Sequence, residues 1–276
     1  MAWPGVGRKA GVIVSPGVFV LVMWLLAVVM MTGGWLWQRR RENAGIVDVL
    51  WAAGVGASAV FAALVGSGAP LVRLLTGLCG AIWGLRLARH LWRRVRAEPE
   101  DGRYRALRAR WGATQGKWFG LFQFQAALIA LFCVPFIVAA SNPTLRPAWL
   151  AAAIVIFVVS IAGEHLADGQ LARFRADPAN RGRSCRLGLW RYSRHPNYFF
   201  EWLHWFTYVA LARGAPHAAW SLAGPVVMFV FLRWVSGIPF TEAQALRTRG
   251  ADYRDYQQRT SMLFPWPPRR LPSDPR

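Results

Sequence analysis

Cysteine is scarce in this chain. The 276 residues hold three, Cys79, Cys133 and Cys185, an odd number with no metal-ligand spacing. They speak against a disulfide framework and a cysteine-rich metal site, and no bound metal is expected. Acidic residues are also few, 13 against 33 lysines and arginines, which gives a net charge of +20. No long internal repeat or low-complexity segment occurs, and the chain reads as a single domain over residues 1–276. The Pro/Arg-rich end, Pro265 to Arg276, reads as a loose tail.

What the chain has in excess is apolar sequence. It is 55% hydrophobic, and several uninterrupted apolar runs approach about 20 residues, the span of a bilayer core. The expected fold is therefore an all-α, polytopic membrane protein with about seven transmembrane helices. The spans fall at Gly17–Trp37, Ile46–Val65, Leu71–Trp92, Trp118–Ala140, Ala148–Ile161, Tyr198–Leu211 and Ala218–Val235. The fifth helix should continue through Glu164, His165 and Asp168. The seventh could break at Gly237 and Pro239, and a polar helical stretch, Thr241 to Arg259, follows. The first run resembles a signal peptide because Arg8 and Lys9 precede it, but it is too long and lacks a small-x-small site.

In a membrane protein the question for a +20 charge is where the charges lie. With seven spans, 27 of the 33 basic residues fall on one side and five on the other, with Arg233 inside the last span. That asymmetry puts the basic loops in the cytoplasm, the N-terminus outside and the C-terminus inside. A bacterial inner membrane is the expected location. Neither nucleic acid nor an obligate protein partner is inferred. The basic face suits membrane lipid or a phosphate-bearing cofactor.

The stretch Gly188 to Glu201, Gly-Leu-Trp-Arg-Tyr-Ser-Arg-His-Pro-Asn-Tyr-Phe-Phe-Glu, interleaves donors and aromatics just before an apolar segment. Pro196 can open a helix at its first turn. Backbone N–H groups at such a start, with guanidinium groups beside them, suit a polyanion. A basic linker touching lipid headgroups fits the same spacing.

Charged groups inside spans cost roughly 2.5 to 3.5 kcal/mol each on insertion scales. Asp48, Arg86, Arg89, Glu164, Asp168, Glu201 and Glu242 lie at the basic ends of the spans, where they could line a cavity or pair with each other. The run Glu100 to Tyr104 reads as a solvated loop or helix cap. Tyr253 and Tyr256, spaced i, i+3, fit an interfacial helix.

Beyond spacing, the motif Gly188-Leu189-Trp190-x3-Arg194-His195-Pro196-Asn197-Tyr198, followed by Glu201, resembles the cofactor motif of the steroid 5-alpha-reductase and sterol reductase superfamily. A second half, Glu242-x7-Gly250-x-Asp252-Tyr253-x2-Tyr256, is recognisable as well. With Asn43-x4-Asp48-x2-Trp51 and Glu100-Asp101-x-Arg103-Tyr104, residues from about 43 to 268 are similar to its bacterial branch DUF1295, a domain of unknown function. The resemblance implies an NADPH-dependent reductase acting on a C=C bond of a lipophilic substrate. It implies cofactor contacts at Trp190, Arg194, His195, Asn197, Tyr198, Glu201, Glu242, Tyr253 and Tyr256. The Asp168-x6-Arg175 spacing adds Asp168 and makes Arg175 a phosphate ligand, with Arg181 or Arg183 nearby. The Gln-Glu pair with which the steroid enzymes polarise substrate is missing, and Asp48 with Arg86 is the substitute. Isoprenylcysteine and phospholipid methyltransferases, which use S-adenosylmethionine, share the Arg-His-Pro-x-Tyr motif and the tail. A non-enzymatic lipid-binding protein is the third alternative.

Overall fold

The computed structural model describes residues 14–270. Arg8, Lys9 and the last six residues of the expected tail lie outside them. The described residues form helices and no strand. Six helical stretches among them are long and apolar enough to cross a bilayer: Pro16–Arg41, Ile46–Val65, Pro70–Ala97, Gln115–Ala140, Pro147–Ala176 and Ala218–Arg249. The chain is thus an all-helical, multi-pass membrane protein. The expected span at Tyr198–Leu211 differs from this pattern. It is two short helices, Pro196–His204 and Phe206–Leu211, interrupted at Trp205.

The helices are α1 (Pro16–Arg41), α2 (Ile46–Val65), α3 (Pro70–Ala97), α4 (Gly102–Trp111), α5 (Gln115–Phe132), α6 (Val134–Ala140), α7 (Pro147–Ala176), α8 (Pro196–His204), α9 (Phe206–Leu211), α10 (Ala223–Val230), α11 (Ile238–Arg249) and α12 (Ala251–Arg259). They form two compact units. The first holds the residues up to Leu150 together with Tyr208–Ala223, and the second holds Ala151–Thr207 with the residues from Gly224 onward.

In the first unit α2 and α3 pack along a seam of small residues. A Cβ on Gly84 would meet the Gly56 Cα at 2.7 Å, and one on Gly80 would meet the Ala59 Cβ at 2.2 Å. In lipid the hydrophobic effect does not drive helices together, so close backbone approach supplies the attraction. Interhelical hydrogen bonds add to it between α1 and α5: Gln38 Nε2 donates to Gln115 Oε1 at 3.2 Å, and Gln123 Nε2 to Thr32 Oγ1 at 3.1 Å. α5 gives way to α6 at Cys133, where Pro135 opens the new helix. At one end of this unit, three turns are tied together. Gly68 N donates to Ala140 O, Ala69 N to Asn142 O, and Asn142 Nδ2 to the carbonyls of Leu211 and Arg213.

In the second unit α7 is one 30-residue helix, so it carries Glu164, Asp168 and Arg175 without a break, as its expected extension required. Past α10 the backbone widens into a π turn, Phe231–Val235, before α11 restarts at Ile238. The polar stretch expected from Thr241 to Arg259 is not continuous. Gly250, at φ +54°, separates α11 from α12, a backbone angle that glycine adopts at little cost.

Candidate functional site

Pro196 stands at the start of α8, as the sequence predicts. The residues just before it are fixed by α7. Leu189 N donates to Gln170 Oε1 at 2.9 Å, and Trp190 Nε1 donates to Ala167 O at 2.9 Å. Gly188 has φ +56°, and a Cβ there would lie 2.3 Å from Gln170 Nε2. The backbone angle therefore favours glycine at the head of the motif, and a side chain there would have to displace the end of Gln170.

The two halves of the motif meet at Glu242. Its carboxylate accepts from Arg194 Nε at 2.7 Å, Tyr253 OH at 3.3 Å and Gln257 Nε2 at 2.9 Å, and it faces His195 Nε2 at 3.3 Å. Arg194 continues through Nη1 to the carbonyls of Gln257 and Thr260 at 3.0 and 2.6 Å. Tyr256 OH donates to the carbonyls of Trp190 and Ser193. Arg186 adds a second clasp, bonding Asp255 at 2.6 Å and Asp252 at 3.2 Å. The resemblance gives Trp190, Arg194, His195, Glu242, Tyr253 and Tyr256 to a cofactor. In the structure, polar atoms of all six bond groups within the protein and hold the segment that leads into α8 to α7, α11 and α12. Gln170, Arg186, Ser193 and Gln257 belong to this network and were not singled out in the sequence. They are ordinary polar residues there, and only the fold brings them to the motif.

Burial sets the state of the ring at the centre. His195 is 2% exposed. Burial holds its pKa below the ordinary value, although Glu242 pulls the other way. The ring is therefore neutral near pH 7 and satisfies Glu242 as an Nε2–H donor. Burial also raises the Tyr253 and Tyr256 phenols, so both remain donors.

On the other side of His195 the Tyr198 ring stacks at 5.4 Å, and Tyr198 OH lies 3.2 Å from Thr241 Oγ1. Asn197 Nδ2 donates to Asp168 Oδ1 at 3.2 Å, while its own oxygen accepts from Tyr198 N. Asp168, Asn197 and Tyr198 thus come together, each partly exposed. Glu201, on α8, is buried.

Beside this network lies a cavity of about 550 Å³. Leu171, Phe174 and Arg175 of α7, the loop that follows, and Gln244, Thr248 and Arg249 of α11 line it. Four of the lining side chains are arginines (175, 181, 183 and 249), and Asp177 is the one acid. Asp168, Leu171 and Arg175 are spaced i, i+3, i+7, so α7 presents them on one face. Its size lies in the range of small-molecule sites.

The first unit holds the other candidates. Asp48 accepts from Arg103 Nη2 and Tyr104 OH, each at 2.8 Å. Asp101 caps α4 through Arg103 N at 2.9 Å, and Glu100 accepts from Ala44 N and both Nε and Nη2 of Arg108. The Glu100–Tyr104 run is thus a cap, as one of its readings holds, and also a clasp on α2. Asp48, expected to act with Arg86 on substrate, is thus held by Arg103 and Tyr104. With Gly56 facing Gly84, Asp48 is level with residue 92, and Arg86 lies about 9 Å further along the seam. Burial would raise the Asp101 carboxyl, but the neighbouring Arg103 holds it below its ordinary value. No metal-holding group of three His, Cys, Asp or Glu side chains occurs among the described residues.

No curated protein and no solved structure matches the chain. One family does, described as protein of unknown function (DUF1295), over residues 34–260. That match takes in the Asp48 clasp, the Glu242 hub and every arginine of the cavity, and the chain belongs to the DUF1295 family.

Proposed function

We propose that this protein is a membrane reductase that binds NADPH in the arginine-lined cavity and transfers hydride to a C=C bond of a lipophilic substrate. The observation that carries this reading is the cavity wall. Four guanidinium groups against one carboxylate match a ligand with several phosphates, because a guanidinium takes phosphate oxygens in bidentate fashion. S-adenosylmethionine carries a sulfonium cation and no phosphate, so the same wall disfavours the methyltransferase alternative. Arg175, Arg181 and Arg183 would hold the phosphates. The partly exposed Asp168, Asn197 and Tyr198 would contact the rest of the cofactor, and the Glu242 hub would position them. The hydride chemistry is the cofactor's; the chain supplies orientation and electrostatics. The lipophilic substrate would reach the site from the bilayer.

The test is titration of the detergent-purified full chain with NADPH, NADH and S-adenosylmethionine, followed by melting temperature. NADPH should stabilise most, and Arg175→Ala should narrow its preference over NADH. NADPH oxidation that depends on an added lipophilic enone would complete the case. Stabilisation by S-adenosylmethionine alone would overturn it.

A further inference from the structure

The cavity is assembled from two segments about 70 residues apart in sequence. One comprises the end of α7 and the loop after it, with Arg175, Arg181 and Arg183. That loop is built rather than slack. Asn180 Nδ2 donates to Phe174 O at 3.0 Å, Asp177 accepts from Ala179 N at 2.9 Å, and Ser184 N donates to Asp252 Oδ2 at 2.7 Å. The other segment is the last turns of α11, which bring Gln244, Thr248 and Arg249. The Arg249 guanidinium lies over the Tyr253 ring at 5.1 Å, which orders its long side chain before any ligand arrives. Nearby acids have other partners: Asp252 and Asp255 bind Arg186, Asp255 also binds Arg259, and Glu242 binds Arg194. Both α7 and α11 end at the cavity, so their dipoles turn negative ends toward it. Guanidinium charge, not helix dipoles, must therefore attract an anion here.

Arg249 also shares a helix with Glu242, seven residues earlier, and stacks on Tyr253, which donates to Glu242 at 3.3 Å. We infer that Arg249 is a phosphate-binding residue of this cavity, and that phosphate bound there fixes α11 and so tightens the Arg194–His195–Glu242 hub. The inference deepens the NADPH reading and rests on it for the ligand class, a phosphomonoester. Arg249 is a residue the motif comparison did not select. Like charges crowd the cavity wall when it is unoccupied, and an anion relieves that repulsion. Removing Arg249 should then have opposite effects on the protein with and without ligand.

The experiment uses the full chain in detergent, as wild type, Arg249→Ala, Arg249→Lys and a control, Arg254→Ala, on the exposed face of α12. The probes are 2′,5′-ADP, 5′-AMP and a short-chain phosphatidic acid, read by thermal shift and by amide hydrogen exchange over residues 238–257. Wild type should be stabilised most by 2′,5′-ADP, with exchange slowed across the hub. Arg249→Ala should bind that probe at least tenfold more weakly and lose the slowed exchange, with ligand-free melting unchanged or higher. Arg249→Lys should recover part of the affinity, and Arg254→Ala should match wild type. Wild-type affinity in Arg249→Ala overturns the assignment, and so does a fall in its ligand-free melting that accounts for the loss. Stronger binding of phosphatidic acid than of 2′,5′-ADP supports the phosphate site and overturns NADPH as its occupant. Binding of 2′,5′-ADP without NADPH oxidation supports Arg249 and overturns the reductase reading alone.

Discussion

Glu242 is the residue on which the second unit turns, because four side chains from two segments converge on its carboxylate. Its ion pair with Arg194 is largely enclosed, at 17% and 10% side-chain exposure. Removing one partner of such a pair leaves the other charge stranded, at a cost of about 3 to 5 kcal/mol. Glu242→Ala should lose roughly that much in mixed-micelle denaturation. Glu98→Ala, which breaks the exposed Arg94–Glu98 pair, should lose about 1 kcal/mol or less. His195 supplies a pH signature. Its folded pKa lies below the ordinary 6.5 because burial disfavours the imidazolium, so as pH falls the unfolded chain takes up the proton first. Its contribution is complete above about 6.5 and is lost as pH falls through the folded value. Melting temperature should therefore drop below neutral pH, and His195→Gln should flatten that drop. An equally steep drop in the variant would place the titration elsewhere. For cofactor contact, Tyr198→Phe is the cleaner probe, since it removes only a hydroxyl facing Thr241. Asn197→Ala also breaks the bond to Asp168. Tyr198→Phe should weaken NADPH by about 1 kcal/mol with unchanged ligand-free melting.

At the scale of the element, the informative contrast lies between two glycines. Gly112 has φ +53° with open space around it, whereas Gly188 has φ +56° and the Gln170 side chain against it. Gly112→Ala should cost only the backbone strain, about 1 to 3 kcal/mol. Gly188→Ala should cost more, and Gln170→Ala in the same chain should recover part of the difference. Equal losses at the two positions would mean that Gln170 moves freely. The expected sixth span is also decided at this scale. Apolar content alone reads residues 198–211 as one unbroken helix, whereas the structure breaks that crossing at Trp205 into helices of nine and six residues.

The whole molecule offers a test of topology. The turns at Gly68, Asn142 and Gly214 belong to one unit, and the first and last are bonded to the middle one through Ala140, Asn142, Leu211 and Arg213. Reporter fusions at these three positions should therefore give the same signal. By the charge asymmetry that signal should be external, with Gly102, Gly182 and the C-terminus cytoplasmic. A cytoplasmic signal at Gly214 with an external one at Asn142 would break the arrangement.

Membrane insertion and helical class were legible in the chain itself, because lipid leaves the backbone no partner but its own and apolar runs reveal length directly. Local chemistry was legible too. Pro196 opens α8, Asp101 caps α4, and Asp168 and Arg175 share a face of α7. What the sequence alone determined thus lies within a few helical turns. Which carboxylate meets which guanidinium was decided by tertiary structure. Asp48 meets Arg103 and Tyr104, partners 55 and 56 residues away that no local pattern announces. Arg249 lines the arginine-rich cavity only because the end of α11 comes to the same place as the end of α7. Charge pairing depends on distance through space, and across 50 to 70 residues only the packing of helices sets that distance.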